Sequence, residues 1–236
     1  SNPDSSRIAM YDFWRVDNLL YIVSNGLKKI IILDMEKEEI VGDYHIVTDN
    51  YNDKIVKSIK VGKYIYSISA IIPQVYKFDC EKKRIIIIDI PEIDDKLQTI
   101  SFDGDNFWLS GHCKKIYIWN EMSDEVKILD DFPIGFGIYD FNNNQNELLD
   151  CKSKQYNSPA FITSFFAGRY MWFIPFRTNK ILYVDKGTLE INTYYIEDEI
   201  RTTQDFKVAV LDHMYLFEYI DDRYFGIYSL KTEKIV

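Results

Sequence analysis

Short apolar runs of strand length recur along the chain, each opened by an aromatic residue and followed by a second run that ends on a small polar one. The openers are Tyr21 in NLLYIVS, Tyr66 in KYIYSIS, Trp108 in NFWLSG, Trp172 in RYMWFIP and Tyr215 in HMYLFEY, spaced 45, 42, 64 and 43 residues apart. The second runs close on Asp34, Asp79, Asn120, Asp185 and Ser229, at offsets of 13, 13, 12, 13 and 14 from their openers. Near-constant offsets over five copies mark an internal repeat. Asp, Asn and Ser suit the closing position because their side-chain oxygens accept from a backbone amide two residues on, which ends a strand in a turn. A charged stretch follows each closing residue, then a third run (84–90 and 189–196, for example) and a fourth (54–61, 96–102, 160–166 and 206–211) before the next opener.

Four short strands cannot bury both faces of their sheet alone, and radial stacking of similar sheets is the usual solution. The pattern predicts an all-β chain folded as one β-propeller domain over 1–236, with five four-stranded blades. The aromatic runs are expected to be the inner strands. The run 7–15 reads as an N-terminal strand that completes the last blade. Six blades would apply if the chain were part of a longer parent. The 64-residue interval carries an excess in 139–159, where FNNNQNELLDCKSKQYNSP is polar and Asn-rich. This predicts a long loop insertion between the third and fourth strands of the third unit, outside the core.

Composition agrees with strands: Ile and Tyr dominate the apolar set, which makes up 47% of the residues. A formal net charge of −9 argues against nucleic acid as a partner, since phosphate binding needs concentrated positive charge. It argues equally against an anionic membrane surface, and no apolar run approaches the ~20 residues of a spanning helix. Cys80, Cys113 and Cys151 are odd in number and form no C-x-x-C pair, as expected for thiols in a reducing, cytoplasmic compartment. Ser1-Asn2 reads as the remnant of a cleaved expression tag, and a leader removed with it would change that expectation.

The aromatic-led run followed by I-Y-x-x-D-x-x-[TK]-x-x-hydrophobic resembles Kelch-like and quinoprotein-like propeller repeats, although the Kelch glycine doublet is missing. The segments FDGDNFWLSG and WFIPFRTNKILYVD resemble uncharacterised propeller proteins of Firmicutes. The resemblance implies the fold and supplies no activity.

The turns leading into the aromatic runs are expected to converge on one funnel mouth. They carry Asp17, Asn18, Lys63, Asp105, Asn106, Arg169, Asp212 and His213. Mixed polar groups converging in a concave site are a default binding hypothesis. The reading is therefore a ligand- or protein-binding scaffold, its ligand small and polar (a carbohydrate, for instance) or its partner another protein. The alternative is a glycosidase-like enzyme or lectin using Asp17, Asp103, Asp105 and Asp212, which would need two carboxyl groups flanking a scissile bond. Turn propensity alone accounts for each of these residues singly. No catalytic residue, metal ligand or cofactor is assigned. His112 and His213 lie at opposite ends of their strands, no H-x-H spacing occurs, and Asp103-Gly104-Asp105-Asn106 lacks the remaining ligands of a calcium loop.

Overall fold

The computed structural model describes residues 10–24, 28–47, 54–140, 147–149, 159–176, 178, 180–194, 207–211, 214–218, 225–229 and 234–235. Every regular element among them is a strand. The chain divides into two compact units, Ser1–Ile100 and Ser101–Val236.

The first unit holds two antiparallel sheets. One is β1 (Met10–Val16), β2 (Leu19–Ser24), β3 (Lys29–Asp34) and β4 (Glu39–His45), and the other is β5 (Ile55–Val61), β6 (Tyr64–Ser69), β7 (Gln74–Asp79) and β8 (Arg84–Asp89). Each is ordered as the chain runs. The unit boundary falls inside β9 (Leu97–Phe102), which heads a third sheet with β10 (Phe107–Gly111), β11 (Ile116–Asn120) and β12 (Glu125–Leu129). In the second unit a short pair, β13 (Ile138–Asp140) and β14 (Glu147–Leu149), precedes two more sheets. These are β15 (Phe161–Ala167), β16 (Tyr170–Pro175), β17 (Ile181–Asp185) and β18 (Ile191–Tyr194), then β19 (Lys207–Leu211), β20 (Met214–Glu218), β21 (Phe225–Ser229) and β22 (Lys234–Ile235). Among the described residues these make five four-stranded sheets.

The strands fall where the pattern puts them, but their grouping shifts by one. The strand before each aromatic run belongs to the sheet that follows it, so β1 pairs with β2 and does not complete the last sheet. The last sheet has four strands of its own. The reason is loop length: only Asp17 and Asn18 separate β1 from β2, and a two-residue turn forces antiparallel neighbours. The aromatic strands are accordingly central strands, flanked on both sides, and not edge strands.

Central position explains their composition. Tyr21, Tyr66, Trp108 and Trp172 are all buried, paired across the sheet with Ile32, Lys77, Ile118 and Tyr183. A strand covered on both faces reads as a continuous apolar run, whereas the end strands β4, β8 and β12 are more open and leave Ile40, Val41, Ile87 and Ile128 exposed. In the second unit the core includes a row of rings, Phe132, Phe136, Phe161 and Phe173, with successive centroids 5.1, 6.1 and 5.3 Å apart.

The insertion also departs from expectation. It lies after the fourth strand of the third sheet, between sheets, and it is not wholly a loop, since β13 and β14 pair within it. Ile138, at its start, is fully buried in the core cluster. Its other residues, 141–146 and 150–158, lie outside the described residues.

The turn between third and fourth strands is built alike in four sheets. One residue near its end takes a left-handed conformation: the last residue at Glu38, Lys83 and Asp124, and the last but one at Leu189, with φ of 56°, 52°, 58° and 60°. None is glycine. Because the side chain of Glu38 is exposed, Glu38→Gly removes that strain without removing packing. The expected result is a gain of about 0.5–1 kcal/mol in urea denaturation; a loss would mean that the turn is not strained.

Candidate functional site

Four of the sequence-predicted residues share one repeated structural role, at the turns that the closing residues shape. In the first sheet Asp34 Oδ1 accepts from the amides of Glu36 and Lys37 at 3.0 and 3.1 Å and from Asn18 Nδ2 at 2.7 Å. Asp79 accepts from the amides of Glu81 and Lys82 at 3.0 and 2.9 Å, and Lys63 reaches Glu81 Oε2 at 2.6 Å. Asn120 accepts from the amides of Met122 and Ser123, both at 3.0 Å, and donates to Asn106 Oδ1 at 2.9 Å and the Asp105 carbonyl at 3.3 Å. Asp185 accepts from the amides of Gly187 and Thr188, and from the guanidinium of Arg169. Each pair clips the turn between first and second strands to the turn between third and fourth. Backbone bonds reinforce it: the amides of Met35, Cys80 and Lys186 donate to the carbonyls of Asn18, Lys63 and Arg169 at 3.0, 2.9 and 2.9 Å.

Asp17 is the left-handed residue of its turn, φ 52°, a role that Gly62 and Gly168 fill elsewhere at 55° and 62°. Its carbonyl accepts from Arg15 Nε at 3.0 Å. The side chain of Asp105 accepts from Lys186 Nζ at 2.7 Å. Asp212 and His213 lie outside the described residues. Thus Asn18, Lys63, Asn106 and Arg169 occupy equivalent positions in four sheets. Within the second unit, Lys186 brings the turns carrying Asp105 and Arg169 together.

The side chain of Asp103 is fully buried. Its Oδ1 accepts from the amides of Asp105 and Asn106, both at 2.8 Å, and its Oδ2 from Trp108 Nε1 at 2.7 Å. Lys186 Nζ lies 3.4 Å from it. Burial pushes its pKa up, yet the Asn106 and Asp105 amides, the Trp108 indole and Lys186 together hold it below the usual carboxylate value. The Lys37 amide does the same for Asp34, and the Lys82 amide for Asp79, each against a smaller desolvation effect. A depressed native pKa stabilises above the unfolded value, about 4 for Asp, and the stabilisation is lost as pH falls through the native value. Stability should therefore drop as pH falls below about 4, the unfolded value, and less steeply in Asp103→Asn, as read by urea denaturation at each pH. An identical slope in that variant would show that Asp103 titrates alike folded and unfolded.

No group of three His, Cys, Asp or Glu residues positioned to hold a metal occurs among the described residues. No helix among them is long and apolar enough to cross a membrane.

A feature that sequence reasoning missed lies in the second unit. Residues 128–134, leaving β12, and 189–191, entering β18, line a groove with a cavity volume of about 530 Å³. Its walls are Ile128, Leu129, Phe132, Pro133, Ile134, Leu189 and Ile191, with Asp130, Asp131 and Glu190 among them. Ile134 is 100% exposed and Ile128 42%. The only signal in the sequence is the apolar–acidic stretch ILDDFPI, which reads as one more strand end.

No protein-family model and no curated protein matches the sequence. Solved structures do. A streptogramin B lyase matches with a TM-score of 0.70 at 16% identity, over 100% of this chain and 69% of that one. Virginiamycin B lyase from Staphylococcus aureus gives 0.65 at 13%, over 96% and 68%. The Pan2 WD40 domain of Neurospora crassa gives 0.63 at 15%, over 100% and 67%. The fold is a β-propeller. At these identities the likeness carries the fold and nothing finer, and the propeller's five four-stranded sheets are its blades.

Proposed function

We propose that this β-propeller is a binding scaffold whose partner is another protein. The observation that carries the reading is the groove on the third and fourth blades, where the fully exposed Ile134 and the half-exposed Ile128 stand beside acidic residues. Exposed apolar side chains set beside acidic ones in a concave surface suit a protein partner. The polar turn residues support a small-ligand site less well, because Asn18, Lys63, Asn106 and Arg169 spend their hydrogen-bonding groups inside their own blades. The carboxylates that a glycosidase-like enzyme or lectin would use are similarly engaged at Asp103 and Asp105.

The test sets peptides against sugars. A phage-displayed peptide library panned on the folded chain should enrich a defined sequence class, while a panel of mono- and oligosaccharides leaves the melting temperature within about 1 °C. Stabilisation by a sugar, abolished in the double variant Asp105→Ala with Arg169→Ala, would replace this reading with the polar mouth.

A further inference from the structure

We infer that the groove takes an extended peptide in which apolar and basic residues alternate, added as an extra strand along β12. The inference rests on the protein-binding reading above and specifies its site and chemistry. Three observations lead to it. First, β12 stands at the end of its sheet, bonded to β11 on one side, and among the described residues no strand covers its other edge. In an antiparallel ladder alternate residues of an edge strand point their amide and carbonyl groups outward, so β12 offers a row of main-chain partners to a further strand. β18, the other wall of the groove, is likewise the end strand of its sheet.

Second, the groove continues from that edge with Ile128, Phe132, Ile134 and Ile191, an apolar lining into which every second side chain of an added strand would project. Ile134 has no protein cover at all. Third, the charged residues lining the groove are all carboxylates, with Asp130 and Glu190 exposed on opposite walls. A strand whose other side chains are Lys or Arg places its cations against both walls, while an acidic strand is repelled. Strand addition supplies affinity through the main chain, and the walls select the sequence.

The probe is a fluorescein-labelled nonapeptide, Lys-Val-Lys-Ile-Arg-Val-Lys-Ile-Arg, followed by fluorescence polarisation on the full chain. Its acidic counterpart, with Glu at every basic position, is the first control. Two N-methylated versions carry methyl groups on the odd or on the even amides. Because only alternate amides of an added strand face β12, one methylated set should bind as the parent does and the other at least tenfold more weakly. Asp130→Lys with Glu190→Lys should weaken the parent probe at least tenfold. Glu36→Lys with Glu92→Lys makes the same change in net charge at exposed sites elsewhere and should leave binding within twofold. Ile134→Asp tests the apolar wall at a position whose exposure spares the fold.

Equal binding by the acidic probe, equal loss with both methylated sets, or equal loss in both charge-reversed proteins would overturn the inference. Panning that enriches peptides insensitive to Asp130→Lys with Glu190→Lys would also overturn it, leaving the protein-binding reading standing. Panning that enriches nothing, with sugars stabilising the fold, would remove both.

Discussion

Trp108→Ala is expected to lower the unfolding free energy by about 3–5 kcal/mol, the range for removing a large aromatic from a packed core. Trp108 is 1% exposed and belongs to the main apolar cluster of the second unit. Its indole does a second job: Nε1 is one of the three hydrogen-bond donors on the Asp103 side-chain carboxylate. Trp108→Phe keeps most of the buried area and deletes that donor, so about 1–2 kcal/mol is expected there. The two losses separate packing from hydrogen bonding in one position. Urea denaturation measures both, and a loss below about 1 kcal/mol for Trp108→Ala would mean that the third blade relaxes into the space.

Asp12→Ala should cost about 2–4 kcal/mol, by leaving buried donors without an acceptor. Asp12 is 8% exposed, and its carboxylate takes the Ser58 amide at 2.6 Å, the Ser58 hydroxyl at 2.9 Å and Lys57 Nζ at 2.9 Å. Ser58 Oγ in turn accepts from Trp14 Nε1 at 3.1 Å. These bonds join β1 to β5, the first strands of two neighbouring sheets in the first unit, where no backbone ladder connects them. Asp12→Asn retains an acceptor and should lose less than half as much. Equal losses for the two variants would assign the whole effect to charge.

The strands were legible because each obeys local rules: apolar runs of six or seven residues, a carboxylate or amide at the close, and charged turns between. The grouping is legible too. Asp17-Asn18, Gly62-Lys63 and Gly168-Arg169 are tight-turn sequences, and a tight turn already places the strands on either side of it in one sheet. Giving the preceding strand to the earlier blade contradicted that geometry. The candidate site divides along the same line. Turn residues are visible in sequence, but whether Arg169 faces a ligand or Asp185 depends on the cross-strand register that brings Tyr170 opposite Asp185. The groove was illegible for a stronger reason. It exists only where the end of β12 and the start of β18 come side by side, and nothing within either segment announces the other.

The turn clip recurs in four blades with a different chemistry in most of them: amide to carboxylate, ammonium to carboxylate, amide to amide, guanidinium to carboxylate. The two halves of each clip come from two different turns of one blade, so they are matched within a blade and not in every pairing between blades. Lys63 opposite Met122, or Arg169 opposite Asn120, would find no anion at the matching position. The repeat is therefore not freely interchangeable at the level of hairpins. Recombination among its copies, by gene conversion or by a designer, preserves the joints only when whole blades move, and half-blade exchanges would leave ammonium or carboxylate groups facing the wrong partner.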